Sequence, residues 1–257
     1  MPEYEPLYYE YASRGENWTS FPRREVVKFV KNRYPHRVSI LDVGCGTAEI
    51  LSHVSQAAYY RGVERSEYAI REAEKRWFAD PRDIKFLKAE MPLLPFRDKE
   101  FDIVFFLFSL EHVHDPKGFL RESLRLLKTG GFLIILAPNL EFPLAWPAAL
   151  RHSSRASRVC FYFIRLWDYA VRFFGVYSFR IVRKNFTDAT GKYERKDDDL
   201  RVLVSSWETI RFLEKNGAIL EEFWEESNHS ALRRALRYAP TLRWYGMPLA
   251  AAFRKVA

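Results

Sequence analysis

The sequence of 257 residues predicts an α/β fold in which helices cover a seven-stranded, mostly parallel sheet. Apolar runs of strand length alternate with amphipathic segments of helix length, which is the pattern of strand–helix–strand crossovers in a parallel sheet. The first apolar run ends in the glycine turn Gly44-Cys45-Gly46, directly before the next helical segment. Hydrophobic residues make up 48% of the chain, which is enough for a sizeable core.

The individual elements follow from apolar periodicity and from helix-capping residues. Helices are predicted over residues 21–33, 47–57, 67–77, 116–127 and 206–216, and strands over 38–43, 59–64, 84–88, 101–107, 132–137, 218–225 and 247–256. Ser66 is an expected N-cap, the pair Ser205-Ser206 is expected to cap the last helix, and Gly217 is expected to end it.

This order divides the chain into four parts. We expect an N-terminal aromatic arm and helix (1–36), a core that binds a ligand (37–139), a basic, aromatic helical insert that forms a lid (140–200) and a C-terminal part of the core sheet (201–257). The arm is rich in tyrosine, and the insert interrupts the alternation of strands and helices.

The charge and the cysteine content indicate which kind of partner and which cellular compartment to expect. The net charge of +8 suggests an anionic partner or surface. Cys45 and Cys160 are distant in sequence and show no metal-ligand spacing, so a reduced, cytoplasmic compartment is expected. Glu3, Glu5 and Glu10 stand where a secretory signal would be apolar, and no run approaches the roughly 18 apolar residues of a membrane span.

The glycine turn suits a ligand that carries a sugar diol and no phosphate. No Gly-Lys-Ser/Thr follows it, as a P-loop requires, and the third glycine of the dinucleotide fingerprint is missing. Glu49, at the start of the following segment, would repel a pyrophosphate. Glu64 lies 20 residues beyond Gly44, about the offset at which a carboxylate meets a ribose diol.

These residues resemble those of the class I S-adenosylmethionine-dependent methyltransferases. Residues 40–47, Ile-Leu-Asp-Val-Gly-Cys-Gly-Thr, are similar to the first motif of that family, with Ala48 in place of its third glycine. Ala48 is harmless if this position is helical and costs roughly 1 kcal/mol if it needs a positive φ. Residues 101–104, Phe-Asp-Ile-Val, and 109–116, Ser-Leu-Glu-His-Val-His-Asp-Pro, resemble a segment of the ubiquinone-biosynthesis-like (type 11) subgroup. The resemblance covers about residues 38–139 and implies a Rossmann-like fold that binds S-adenosyl-L-methionine.

The resemblance also implies which residues bind this cofactor. Asp42 would reach the methionine amino group, Glu64 would accept both ribose hydroxyls, and Glu90 would receive the adenine amino group. Met91 would offer its backbone N–H to the adenine ring. Two apolar residues at the end of the fourth strand would line the methionine part. The full set is Asp42, Gly44, Cys45, Gly46, Glu64, Arg65, Glu90, Met91, Phe106 and Leu107.

No catalytic residue is assigned, because methyl transfer from a sulfonium depends mainly on in-line approach. Glu111 and His112 are the candidates for a general base. His112 is also a candidate for the acceptor pocket, together with Tyr11 and Trp18 of the arm. His112 and His114 have no third partner at a suitable spacing, so we predict no metal site.

The insert contains a basic amphipathic helix. Between residues 151 and 184 lie eight basic residues and one acid. Arg158, Arg165 and Arg172 recur every seven residues and share one helix face, opposite Phe163 and Trp167. Three interpretations stay open: a lid packed on the core with its arginines in water, a surface that meets anionic lipid or delivers a hydrophobic acceptor, and a nucleic-acid face.

The sequence therefore predicts an enzyme that moves a methyl group from S-adenosylmethionine to O, N or C of a small-molecule or lipid-like acceptor. The alternatives are an RNA-modifying methyltransferase that uses the basic insert and a non-catalytic S-adenosylmethionine-binding module. We expect a cytoplasmic protein that can contact a membrane surface through residues 151–184, with nucleic acid the less favoured partner.

Overall fold

The computed structural model describes residues 18–89, 93–140, 154–172, 174–181, 202–226 and 247–256. Within these ranges the strands are β1 Val38–Val43, β2 Ala57–Glu64, β3 Asp83–Lys88, β4 Phe101–Leu107, β5 Leu127–Ala137, β6 Ala218–Phe223 and β7 Leu249–Lys255. The helices in the same ranges are α1 Arg23–Arg33, α2 Glu67–Trp77, α3 Pro116–Leu126, α4 Arg155–Arg172 and α5 Ser206–Lys215. Two single 3₁₀ turns, Glu49–Ser52 and Leu110–His112, follow β1 and β4.

The strands form one seven-stranded sheet in the order β3-β2-β1-β4-β5-β7-β6. The first five strands run parallel, and β7 is antiparallel to both β5 and β6. The prediction of a mostly parallel seven-stranded sheet is confirmed. β1 pairs with β2 on one side and with β4 on the other, so the strand order reverses there. Ligands of such sheets bind at the carboxyl ends of the strands beside this reversal.

Helices cover both faces of the sheet. On one face, Leu120 of α3 and Leu213 of α5 belong to the same buried cluster as Leu133 of β5. On the other face, Val26 of α1 is buried in a cluster with Ile40 of β1. This three-layer arrangement is the Rossmann-like fold that the sequence predicts.

Helix caps lie where the sequence places them. The Ser66 hydroxyl accepts a hydrogen bond from the backbone N–H of Ala69 at 3.3 Å, which caps α2. The Ser205 hydroxyl accepts one from the backbone N–H of Glu208 at 3.2 Å, which caps α5. Each bond satisfies a backbone donor that the first helical turn leaves open. Gly217, at φ +89°, follows α5 as predicted.

The helix predicted over residues 47–57 is wrong. The chain there forms only the 3₁₀ turn Glu49–Ser52, and β2 already begins at Ala57. The cause is Ala48, which adopts φ +57° and ψ +42° directly before the turn. A left-handed residue cannot lie inside a right-handed helix, so the helix cannot start at Thr47. The fifth strand also differs, since it begins at Leu127 instead of residue 132.

The insert contains the predicted helix, α4, but the interpretation with its arginines in water is wrong for two of the three. Arg158 is exposed, whereas Arg165 and Arg172 are buried. The buried arginines lie among carboxylates: Nη2 of Arg172 is 3.6 Å from Oε2 of Glu208. No helix in the described part of the chain combines the length and apolar character needed to cross a bilayer.

Candidate functional site

Two backbone hydrogen bonds connect the glycine turn after β1 to the end of β2. The backbone N–H groups of Gly44 and Cys45 donate to the carbonyl of Val63 at 2.7 and 3.2 Å. Gly44, at φ +76°, and Gly46, at φ +54°, adopt left-handed conformations that glycine accepts without strain. Gly44 is exposed, so the backbone of the turn is open to a ligand at the carboxyl edge of the sheet.

Glu64, the last residue of β2, directs its carboxylate toward this turn. Oε2 accepts a hydrogen bond from the backbone N–H of Gly46 at 3.1 Å. Oε1 accepts two more, from the backbone N–H groups of Arg65 at 2.7 Å and Ser66 at 3.0 Å. The side chain is buried, and three backbone donors fix its orientation. The structure thus joins the two parts of the site that the sequence pairs only by spacing.

Asp42 lies behind the turn as the resemblance implies. It is buried, and its Oδ2 accepts a hydrogen bond from the Tyr60 hydroxyl at 2.7 Å. Burial raises the pKa of Tyr60 well above its ordinary value, and the negative charge of Asp42 raises that pKa further. Tyr60 therefore stays protonated and donates to Asp42. Sequence analysis did not single out Tyr60, since its contact with Asp42 spans two strands.

Cys45 is a neutral thiol in this setting. Burial raises the pKa of the Cys45 thiol well above its ordinary value, and the carboxylates of Asp42 and Glu64 raise that pKa further. A protonated thiol is a weak nucleophile. Cys45 thus contributes its backbone to the turn, and its contact with a cofactor stays a prediction.

The end of β4 forms the neighbouring wall of the site. Phe106 is fully buried and packs on Phe119 of α3, with ring centroids 6.2 Å apart. Leu107 is half-buried on the opposite face of the sheet. These two residues are predicted to line the methionine part of the cofactor, but they differ in burial. Leu107 reaches the edge of the site, whereas Phe106 belongs to the core.

Glu111 and His112, the candidates for a general base, follow in the 3₁₀ turn after β4. Glu111 is buried, and its Oε1 lies 4.0 Å from Nε2 of the half-buried His112. The backbone carbonyl of Glu111 accepts a hydrogen bond from the N–H of Val202 at 2.9 Å. This bond connects the segment before α5 to the 3₁₀ turn after β4. Within the described ranges, no group of three or more His, Cys, Asp or Glu side chains could hold a metal ion.

Trp18 forms an aromatic wall with two residues that sequence analysis missed. Its ring stacks on His53 with centroids 5.3 Å apart, and the guanidinium carbon of Arg23 lies 5.6 Å from its centroid. The same guanidinium carbon is 4.7 Å from the ring centroid of Phe108, which has φ +59° directly after β4. Phe108 lies 85 residues from Arg23 in the sequence, so local pattern carries no signal for their contact. Trp18 is itself buried, and its contact with an acceptor stays a prediction.

Three predicted site residues, Tyr11, Glu90 and Met91, lie outside the described residues. The nearest described residue to the last two is Ala89, whose backbone N–H donates to the carbonyl of Glu64 at 3.2 Å. Arg65 is half-buried, and its backbone N–H is one of the donors to Glu64.

The sheet order, the open glycine turn and the carboxylate at the end of the adjacent strand are those of the Rossmann-like fold found in class I S-adenosylmethionine-dependent methyltransferases. Residues 41–135 match the family model described as a methyltransferase domain.

Relatives and solved structures agree with this assignment. The chain is 38% identical over 100 residues to the demethylmenaquinone methyltransferase of Staphylococcus saprophyticus, a match that covers 37% of this chain and 42% of the relative. It is 29% identical over 139 residues to ribosomal RNA-processing protein 8 of Caenorhabditis elegans, covering 53% of this chain and 35% of the relative. Both matches span less than half of the relative's length. A SAM-dependent methyltransferase from Aquifex aeolicus shares the fold, with a TM-score of 0.54 and 16% identity over 87% of this chain and 93% of that one.

Proposed function

We propose that this protein transfers a methyl group from S-adenosylmethionine to a small, lipid-like acceptor. The observation that carries the proposal is the carboxylate of Glu64, held 3.1 Å from the backbone N–H of Gly46 at the carboxyl edge of the sheet. A ligand that lays an amino-acid tail on the glycine turn would bring an attached ribose to this carboxylate.

The residues around the turn would hold the cofactor by three contacts. The Glu64 carboxylate would accept the ribose hydroxyls, and its orientation is already fixed by backbone donors. Asp42 would attract the methionine amino group, and Tyr60 holds the carboxylate of Asp42 in place. Glu90 and Met91 would bind the adenine. When bound, S-adenosylmethionine supplies a methyl group on a positively charged sulfur.

The acceptor atom must lose a proton as it gains the methyl group. His112 is half-buried, and its Nε2 lies 4.0 Å from Oε1 of the buried carboxylate of Glu111. We assign His112 the role of taking this proton and Glu111 the role of orienting it. The half-buried Leu107 and Phe108 give the end of β4 an apolar character, which suits a lipid-like ring.

The name of the Staphylococcus relative supports a quinone-type acceptor. Such an acceptor resides in a membrane, so we also propose that the enzyme acts peripherally at a membrane surface. RNA modification is the second candidate, since the Caenorhabditis relative is named for ribosomal RNA processing. The burial of Arg165 and Arg172 weakens this candidate, because it removes two of three arginines from the face that would contact phosphates.

A methyl-transfer assay tests the proposal. The protein is incubated with isotopically labelled S-adenosylmethionine and, in separate reactions, with reduced demethylmenaquinone in detergent or with bulk unmodified ribosomal RNA. We expect label in the quinone and none in the RNA. Label in RNA alone would overturn the lipid-like acceptor, and label in neither, with S-adenosylhomocysteine bound, would favour a non-catalytic module.

A further inference from the structure

The burial pattern of helix α4 is the reverse of that of an ordinary surface helix, which buries its apolar face and exposes its charged face. Its charged residues Arg165, Asp168 and Arg172 are each no more than 2% exposed. By contrast, Phe163 and Trp167 on the other side are 70% and 68% exposed. At 100° per residue these two sets lie on opposite faces of the helix. Apolar residues are thus in contact with water while charges are buried.

Charged partners in the core fix this orientation. Arg172 faces Glu208 of α5 at 3.6 Å, and Asp168 accepts a hydrogen bond from Nε of Arg180 at 2.8 Å. Arg165 donates to the backbone carbonyl of Leu140, three residues after β5. Rotating α4 to bury its apolar face would take Arg172 away from the buried carboxylate of Glu208, and a buried charge without its partner is strongly unfavourable. The buried polar contacts of α4 therefore determine that its apolar face is exposed.

The exposed apolar residues lie on α4 and in the segment that follows it. On α4 they recur at helical spacing, and two more follow directly after the helix. We call this the α4 apolar surface: Val159, Phe163, Leu166, Trp167, Phe174 and Val176. Arg155 and Arg158, at the N-terminal end of α4, are also exposed, so one end of the surface is basic.

We propose that the α4 apolar surface docks on an anionic membrane. A helix with a broad apolar face, aromatic side chains and basic residues at its border binds at the boundary between headgroups and acyl chains. The net charge of +8 adds attraction to acidic lipids, and the exposed arginines lie where such lipids would meet the helix. Apolar insertion and charge attraction together provide the two signals that stable but reversible membrane binding needs. The inference rests on the proposed membrane location and does not depend on methyl transfer.

Vesicle flotation tests the docking. The full chain is mixed with vesicles of phosphatidylcholine or of phosphatidylcholine with phosphatidylglycerol. The test variant combines Phe163→Ser with Trp167→Ser. The control variant, Phe78→Ser, removes an aromatic side chain that is 90% exposed and lies directly after a different helix, α2. We expect the wild type and the control to bind the acidic vesicles. The double variant should bind about a hundredfold more weakly, roughly tenfold for each aromatic side chain.

Three outcomes would overturn the proposal. The first is binding of the double variant as tight as that of the wild type, and the second is a wild type that binds no acidic vesicles. The third is a wild-type dimer in light scattering that becomes a monomer in the double variant, which would make this surface an interface between two copies of the chain. S-adenosylhomocysteine binding by each variant, measured in parallel, separates failure of the docking from failure of the cofactor site.

Discussion

Ser109, after β4, lies directly against Gly44 of the glycine turn. The Ser109 hydroxyl donates to the carbonyl of Val43 at 2.5 Å, and a Cβ on Gly44 would overlap the Cβ of Ser109. The ends of β1 and β4 are thus joined in a contact that only glycine permits. This contact sets the position of the turn relative to the wall of the site.

Replacing Gly44 with alanine should therefore damage both stability and ligand binding. Gly130 offers a matched control, since it has φ +79° and an added Cβ would meet nothing within 4 Å. Gly130→Ala should cost about 1 kcal/mol of unfolding free energy, from backbone strain alone. Gly44→Ala should cost about 1–3 kcal/mol more, from the overlap with Ser109. Urea unfolding measures both, and equal losses would show that the overlap is relieved at no cost.

Ala48 has a left-handed backbone conformation, which favours glycine, and a fully buried methyl group, which favours alanine. Ala48→Gly should relieve about 1 kcal/mol of strain and lose about 0.8 kcal/mol of methyl burial, so its unfolding free energy should stay close to that of the wild type. Lys99, also at φ +57° but exposed, is the control. Lys99→Gly should stabilise the protein by roughly 0.5–1 kcal/mol in the same urea titration. A clear loss in Lys99→Gly would contradict this explanation.

Asp102, in the segment that resembles the type 11 subgroup, ties β4 to β1 away from the site. Its Oδ2 accepts a hydrogen bond from the backbone N–H of Ser39 at 2.9 Å, and Nζ of Lys128 lies 2.8 Å from its Oδ1. Burial opposes ionisation of this carboxyl, but the bonds from Lys128 and Ser39 outweigh burial and lower the pKa of Asp102.

A lowered folded pKa means that the charged form stabilises the protein above the unfolded pKa of about 3.9. This stabilisation is lost as the pH falls through the folded pKa. Asp102→Asn should therefore cost about 1–2 kcal/mol in urea unfolding at neutral pH. The difference from the wild type should shrink when the titration is repeated in acid, and a difference independent of pH would contradict the assignment.

The buried pair of Arg172 and Glu208 should dominate the stability of the insert. Arg172→Met leaves Glu208 buried without this cation and should cost about 3–5 kcal/mol. Arg155→Met, at the exposed N-terminal end of α4, should change stability by less than about 0.5 kcal/mol. Thermal unfolding compares the two, and the double variant Arg172→Met with Glu208→Leu should recover part of the loss. Equal melting temperatures for the two single variants would contradict a buried ion pair.

Local patterns in the sequence predicted most of the fold. Apolar runs located the strands, since a strand buried on both faces requires them. Ser66 and Ser205 marked helix starts because a cap acts within three residues of its own position. The helix over residues 47–57 was wrong because the left-handed φ of Ala48 is imposed by the turn and by burial, which the local sequence does not reveal.

The site was predicted in part. Glu64 and the glycine turn were paired correctly because their spacing reflects one strand–turn–strand unit. The orientation of α4 was missed, because it depends on the distant carboxylate of Glu208, and an amphipathic pattern alone favours burial of the apolar face. The contact between Arg23 and Phe108 joins segments that are distant in the sequence, so no local sequence pattern predicts it.

Isothermal titration with S-adenosylhomocysteine tests the cofactor site most directly. The wild type should bind this ligand, and Glu64→Ala should bind it roughly a hundredfold more weakly, because two charge-assisted hydrogen bonds to the ribose are lost. Glu67→Ala, which removes a partly exposed carboxylate three residues away on α2, should bind like the wild type. Equal affinity of Glu64→Ala and the wild type, or no binding by the wild type, would contradict a ribose-binding role for Glu64.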